Sequence, residues 1–174
     1  MNINIFFIFI CTFLLVILFA FKPLDIKQQK FVDVPLFNMS TFTMQELDKN
    51  GLVTLMSGSN GIRYKNRYTV DDINYTDSSK EYRANMLAKN GIYKNNNLVT
   101  LSGDVIYSRE DGLTFKTQKV IYNKKTSVSK ADGSYIMYRD KNVVVGKKLR
   151  YNNSKEKIKS RNVTAKYQLD EGKK

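Results

Sequence analysis

Leu98-Val99-Thr100-Leu101-Ser102-Gly103-Asp104-Val105-Ile106-Tyr107 is followed, after a polar break, by Asp111-Gly112-Leu113-Thr114-Phe115-Lys116-Thr117 and then by Val120-Ile121-Tyr122-Asn123. Apolar residues alternate with polar ones at a period of two, as in Leu113-x-Phe115-x-Thr117, so each run reads as a strand with one buried and one wet face. The same grammar continues outward on both sides. Strands are expected at residues 52–56, 68–75, 82–88, 98–107, 113–122, 135–138, 143–151 and 162–169, and sustained examples of the apolar spacings of three and four that a helix needs are missing from the body. Residues 41–47 are read as one helical turn at most.

Five Asx-Gly pairs, Asn50-Gly51, Asn60-Gly61, Asn90-Gly91, Asp111-Gly112 and Asp132-Gly133, punctuate these runs and are read as tight hairpin turns. No proline follows Pro35, so backbone ladders can run without missing donors. Val120-Ile121-Tyr122-Asn123 is echoed by Leu149-Arg150-Tyr151-Asn152, and more weakly by Ile73-Asn74-Tyr75. A recurring unit of apolar strand, Asn-rich turn and return strand is expected to stack into one elongated all-β, antiparallel body.

The amino terminus is a different polymer. Six of the ten Phe fall in the first 21 positions, where no Asp, Glu, Lys or Arg occurs, whereas all eleven Tyr lie beyond them. A helix of nineteen residues from Ile3 to Phe21 would be about 28 Å long, close to the roughly 30 Å of a bilayer's hydrocarbon. Phe19-Ala20-Phe21-Lys22 lacks the small-residue pattern of a cleavage site, so the segment reads as a retained transmembrane anchor. The expected organisation is anchor 1–21, linker 22–36 between Pro23 and Pro35, β domain 37–170 and tail 171–174. Lys22, Lys27 and Lys30 follow the span and no cation precedes it, a pattern that by itself favours a cytoplasmic body.

Side-chain chemistry narrows function. The chain has no His, and its single cysteine, Cys11, lies in the apolar segment, so His-based triads, thiolate sites and internal disulfides are unavailable to the body. An enzyme is not expected, nor a cofactor or metal. Net charge is +13, and residues 116–174 hold 17 cations against 5 acids while 22–115 hold 12 against 11. Such asymmetry points to an anionic partner. A basic β domain could instead bind nucleic acid or serve as a structural surface protein, but no RRM or KH signature is present. Asp72-Ile73-Asn74-Tyr75-Thr76 contains a glycosylation sequon whose position in a candidate strand favours chance.

The anchor, the linker, the ordered series of residues 98–123 and the closing Val145-Gly146-Lys147-Lys148-Leu149-Arg150-Tyr151-Asn152 together resemble the LptC family of lipopolysaccharide transport. The resemblance implies a twisted β-jellyroll, an open V of two sheets whose interior takes lipid acyl chains, with its body in the periplasm and its anchor in the inner membrane. It also implies a non-enzyme that accepts lipopolysaccharide from an inner-membrane ABC transporter complex and passes it to a soluble periplasmic β-jellyroll bridge protein, with no nucleic acid involved. Candidate groove residues are Val70, Ile73, Tyr75, Met86, Val99, Leu101, Val105, Tyr107, Leu113, Phe115, Tyr122, Val143, Val145, Leu149 and Tyr151. Replacing Phe115 or Val145 by Asp or Arg is expected to abolish lipid crosslinking. The candidate partner edge is Asn162, Val163, Thr164, Ala165, Lys166 and Tyr167.

Overall fold

A computed structural model describes residues 3–20, 33–49 and 51–168, which fall into two separate compact units. The first holds α1, Ile3–Ala20, whose 18 residues carry no charged side chain. Thr12 Oγ1 donates to the Ile8 carbonyl at 2.7 Å, which satisfies the hydroxyl without leaving the helix. At 1.5 Å per residue the helix is about 27 Å long, and among the described residues no helix is long and apolar enough to cross a membrane. The expected span of residues 1–21 therefore appears only as this shorter helix, and its proposed ends, together with the linker up to residue 32 and the tail, lie outside the described residues.

The second unit is all-β: β1 Phe37–Asp48, β2 Gly51–Arg63, β3 Arg67–Asp77, β4 Ala84–Lys94, β5 Leu98–Arg109, β6 Thr114–Asn123, β7 Val128–Arg139, β8 Asn142–Asn152 and β9 Lys157–Lys166. All nine join in chain order into one antiparallel sheet, open at β1 and β9 and consistent with a jellyroll. The two sheets expected from the resemblance are thus one continuous ladder. Residues 41–47, read as one helical turn at most, lie within β1. That strand opens Phe-Asn-Met-Ser-Thr-Phe, where the apolar spacing of Met39 and Phe42 breaks alternation and hides the strand from a period-two reading.

The broken alternation recurs across the sheet and has one cause. Thr41, Asp72, Asp104, Lys148 and Asn162 have φ between +46° and +54° in mid-strand, and Gly103 has φ +78°. Each marks a bulge or a lapse in pairing, which bends the strand and re-aims the side chains after it. Consequently Val70 and Ile73, three residues apart, pack on the same side of β3. Register shifts interrupt β4–β5, β5–β6, β6–β7, β7–β8 and β8–β9 in the same zone, so a polar crease crosses the sheet. Lys89 Nζ meets Asp104 Oδ2 at 2.8 Å there, and Gln118 Nε2 donates to Asp104 Oδ1 at 3.0 Å.

Three of the five Asx-Gly pairs belong to this crease and not to turns. Asn60-Gly61, Asn90-Gly91 and Asp132-Gly133 lie inside β2, β4 and β7, while Asp111-Gly112 lies in the β5–β6 turn and Gly51 opens β2. What Gly61 and Gly91 supply is floor space for a neighbouring side chain. A Cβ on Gly91 would stand 2.2 Å from Ile73 Cδ1, and one on Gly61 would stand 2.8 Å from Phe42 Cε1. Gly58 and Gly146 do the same beneath Phe42 and Tyr135. Large side chains therefore lie flat across glycines on adjacent strands, covering the sheet with its own residues.

Burial concentrates where these layers meet. Ile73, Ala88, Leu101 and Val105 form the core, with Val70, Tyr75, Met86, Val99 and Val120 packed against them. Val105 is 2% exposed. Thr117 is the buried polar side chain, and its hydroxyl donates to the Ser134 carbonyl at 2.9 Å. Among the described residues no buried side-chain polar atom lacks a partner, as a stable low-dielectric interior requires.

Candidate functional site

Directly paired residues of an antiparallel ladder point to the same face, so the register gives the composition of each face row by row. Beyond the crease, toward the Asp48 end of β1, one unbroken row reads Met44, Met56, Tyr75, Met86, Tyr107, Phe115, Met137, Val144 and Ala165 across all nine strands. Nothing in it is charged. Near the other strand ends the row on this face reads Phe37, Arg63, Tyr68, Tyr93, Val99, Tyr122, Ser129, Tyr151 and Ile158. Between them lie the core residues and the glycines. Seven residue steps separate Tyr68 from Tyr75, so the apolar face runs about 23 Å along the strands.

This face is only partly covered. Tyr75, Met86, Val99, Tyr107, Phe115, Tyr122, Met137, Val144, Leu149 and Tyr151 are all half-buried, and toward the two edges Met44 and Ile158 are exposed. Burial raises the phenol pKa of Tyr75 and of Tyr107 above 10.0, in each case chiefly by desolvation. The face is thus a low-dielectric surface whose side chains stay partly open among the described residues. Four methionines in one row add to this, because an unbranched thioether repacks around irregular apolar shapes. Phe115 and Tyr135, with ring centroids 5.6 Å apart, form its aromatic floor.

Of the fifteen candidate groove residues, Val70, Ile73, Tyr75, Met86, Val99, Leu101, Val105, Tyr107, Leu113, Phe115, Tyr122, Leu149 and Tyr151 belong to this face by register, by packing or by alternation from a paired neighbour. Ile73, Leu101 and Val105 are buried, which makes them core beneath the surface. Val143 and Val145 do not share this face. They pair with Tyr138 and Ile136 on the opposite face, because the bulge at Lys148 shifts β8 by one residue relative to Leu149 and Tyr151. Val144 takes the inward place. Met44, Met56, Met137 and Val144 were missed at the sequence level, and for Met44 the signal was the apolar spacing of three from Met39 to Phe42.

The candidate edge is a real sheet edge in part. β9 pairs with β8 alone, through Thr164, Ala165 and Lys166 opposite Val145, Val144 and Val143. Asn162 occupies the bulge, Val163 is exposed, and Tyr167 lies just past the strand end. β9 begins at Lys157, earlier than the expected 162, and residue 169 lies outside the described residues. Among the described residues no cluster of His, Cys, Asp or Glu is arranged to hold a metal.

The comparison that decides the family is a match over residues 4–168 to the profile described as lipopolysaccharide-assembly, LptC-related. The chain belongs to the LptC-related family. No curated protein matches its sequence. Membership in the LptC-related family assigns the chain at family level to lipopolysaccharide transport in the cell envelope.

Proposed function

We propose that this LptC-related chain is a non-enzymatic bridge that holds the acyl chains of lipopolysaccharide on its apolar face while they cross an aqueous compartment. The observation that carries the reading is the uncharged nine-strand row from Met44 to Ala165, half-exposed and continuous from edge to edge. Each methylene left in water costs about 0.8 kcal/mol, so a chain of about fourteen carbons left uncovered costs on the order of 10 kcal/mol. A carrier must supply apolar area of that size, and must leave it open enough for the chain to depart.

In this reading α1 is the described part of an inner-membrane anchor, since residues 1–21, which contain no Asp, Glu, Lys or Arg, lie within the range of about 17 to 25 used by spanning helices. Residues 22–36 are the linker, the body from 37 to 170 is periplasmic, and residues 171–174 are a tail. Lipid arrives from an inner-membrane ABC transporter complex and leaves to a soluble periplasmic β-jellyroll partner. The unpaired backbone groups of β9, flanked by exposed Val163 and Tyr167, favour strand addition at that edge.

The test uses the full-length protein in detergent and Met86→Asp, with Val145→Asp as the control on the opposite face. Lipopolysaccharide binding is expected to fall in Met86→Asp and to persist in Val145→Asp, each with an intact circular dichroism spectrum. Equal loss, or no loss, in both folded variants would contradict the assignment of the binding face. Deleting residues 162–174 tests the edge separately: capture of the soluble partner is lost if β9 is the docking strand and retained if it is not.

A further inference from the structure

Charge divides sharply between the two ends of the strands. At one end stand Arg63 closing β2 and Lys65 after it, Lys94 closing β4, Lys124 and Lys125 after β6, and Lys155 before β9, with Glu156 as the acid among them. Asp33, also at this end, is already engaged by Arg67 at 2.6 Å. The turns at the opposite end are balanced: Asp48, Asp77, Glu81, Glu110, Asp111 and Asp140 stand among Lys49, Lys80, Arg83, Arg109, Arg139 and Lys141. Arg63, Lys65, Lys94, Lys124, Lys125 and Lys155 make no ion pair with the described residues.

These cations border the apolar face itself. Its outermost row places Tyr68, Tyr93, Tyr122 and Tyr151 just inside the basic turns, and the Tyr68 and Tyr93 rings stack at 6.1 Å. Arg63 lies 5.3 Å from the Tyr68 ring centroid and Lys124 Nζ 5.5 Å from that of Tyr93. Outward along the strands the order is therefore aliphatic and Met surface, then tyrosines with an apolar ring and a polar tip, then unpaired cations. That is the order of polarity along a lipid whose acyl chains end in an anionic headgroup.

Resting on the lipid-carrying reading above, we infer that the basic end is a phosphate-binding rim that takes the phosphorylated headgroup of the cargo and fixes the direction in which the lipid lies on the face. The tyrosine row is what favours cargo over a bilayer surface, because a flat membrane would meet the turns alone. Individual exposed charge contacts are weak, so orientation here comes from several of them acting on one anion.

Purified full-length protein is titrated with bis-phosphorylated lipid A in detergent and with the same lipid after enzymatic removal of both phosphates. Wild type is expected to prefer the phosphorylated form about tenfold, with roughly a factor of three from each exposed contact. Lys124→Glu/Lys125→Glu is expected to erase that preference while binding the dephosphorylated lipid as wild type does, and Lys141→Glu at the opposite end is expected to leave both affinities unchanged. Equal wild-type affinity for the two lipids overturns the rim and leaves the carrier reading standing; failure of wild type to bind either lipid sinks the carrier reading itself. Unchanged lipid A binding in the double variant, with lost attachment to anionic phosphatidylglycerol vesicles, assigns the cations to a bilayer surface and overturns the inference.

Discussion

Replacing Gly146 with alanine puts a methyl group where the Tyr135 ring lies. The added Cβ would stand 2.6 Å from Tyr135 Oη and 2.8 Å from Cε1 and Cζ. Tyr135 is 4% exposed and cannot swing clear without leaving the floor of the apolar face. Its hydroxyl also reaches across β8, donating to Ser160 Oγ at 2.9 Å while Ser160 donates to the Lys147 carbonyl at 3.0 Å, which ties β7 to β9. Overpacking of this kind costs about 1–3 kcal/mol, and loss of the hydroxyl bond adds about 1 kcal/mol. Restricting the unfolded chain returns roughly 0.4–1 kcal/mol. The net is about 2 kcal/mol of destabilisation, or roughly 4–8 °C in Tm for a domain of this size. Urea unfolding of the full chain measures it, and a double-mutant cycle tests the cause. In a Tyr135→Ala background Gly146→Ala should cost under about 0.5 kcal/mol, because the clashing ring is gone. Additive costs in the cycle would refute the argument that Tyr135 rests on Gly146.

Further expectations rest on other parts of the sheet. Val105→Ala, at the largest fully buried side chain among the described residues, should cost about 2 kcal/mol in the same unfolding assay; Val145→Lys, at a position 44% exposed on the other face, should stay within about 0.5 kcal/mol of wild type. Hydrogen bonds from the Arg109 guanidinium hold the Asp111 carboxyl down to about 2 from its ordinary 3.8. A depressed folded-state pKa means that the contribution of this lock is complete above pH 3.8 and is lost as pH falls toward 2, so Asp111→Asn should flatten the acid end of the stability profile, and a carboxyl midpoint near 3.8 by carbon NMR would contradict the lock. Desolvated Tyr75 and Tyr107 should give a late component, above the ordinary 10.0, in an ultraviolet alkaline titration, and Tyr107→Phe should diminish it.

Where period-two alternation runs without a break, as from Leu113 to Thr117 or from Leu149 to Tyr151, face and register were legible in the residues alone, because side chains two apart must share a side. The crease defeats that logic. Lys148 in a left-handed conformation shifts β8 by one residue, so Val143-x-Val145 alternates faithfully and still faces the wrong way. Asx-Gly pairs misled for a related reason: Asn90-Gly91 and Asp132-Gly133 have the composition of a hairpin turn, yet both lie inside strands beside a register shift, and Gly91 makes room for the Ile73 side chain. β1 escaped notice because its apolar residues flank Thr41 at a spacing of three. The segregation of charge to one end of the strands is invisible until the turns are known, since Arg63 and Lys155 are 92 positions apart in the chain.

Carrying acyl chains on one face of the sheet makes a demand that neighbouring residues on a single strand can test. A photoreactive amino acid placed in turn at Met86, Leu87, Tyr107, Ile106, Phe115 and Lys116 samples both faces of β4, β5 and β6 within a few ångströms of each other. In cells making labelled lipopolysaccharide, adducts are predicted at Met86, Tyr107 and Phe115 and not at Leu87, Ile106 or Lys116. Equal labelling of both sets, or labelling of the second set alone, would contradict the account.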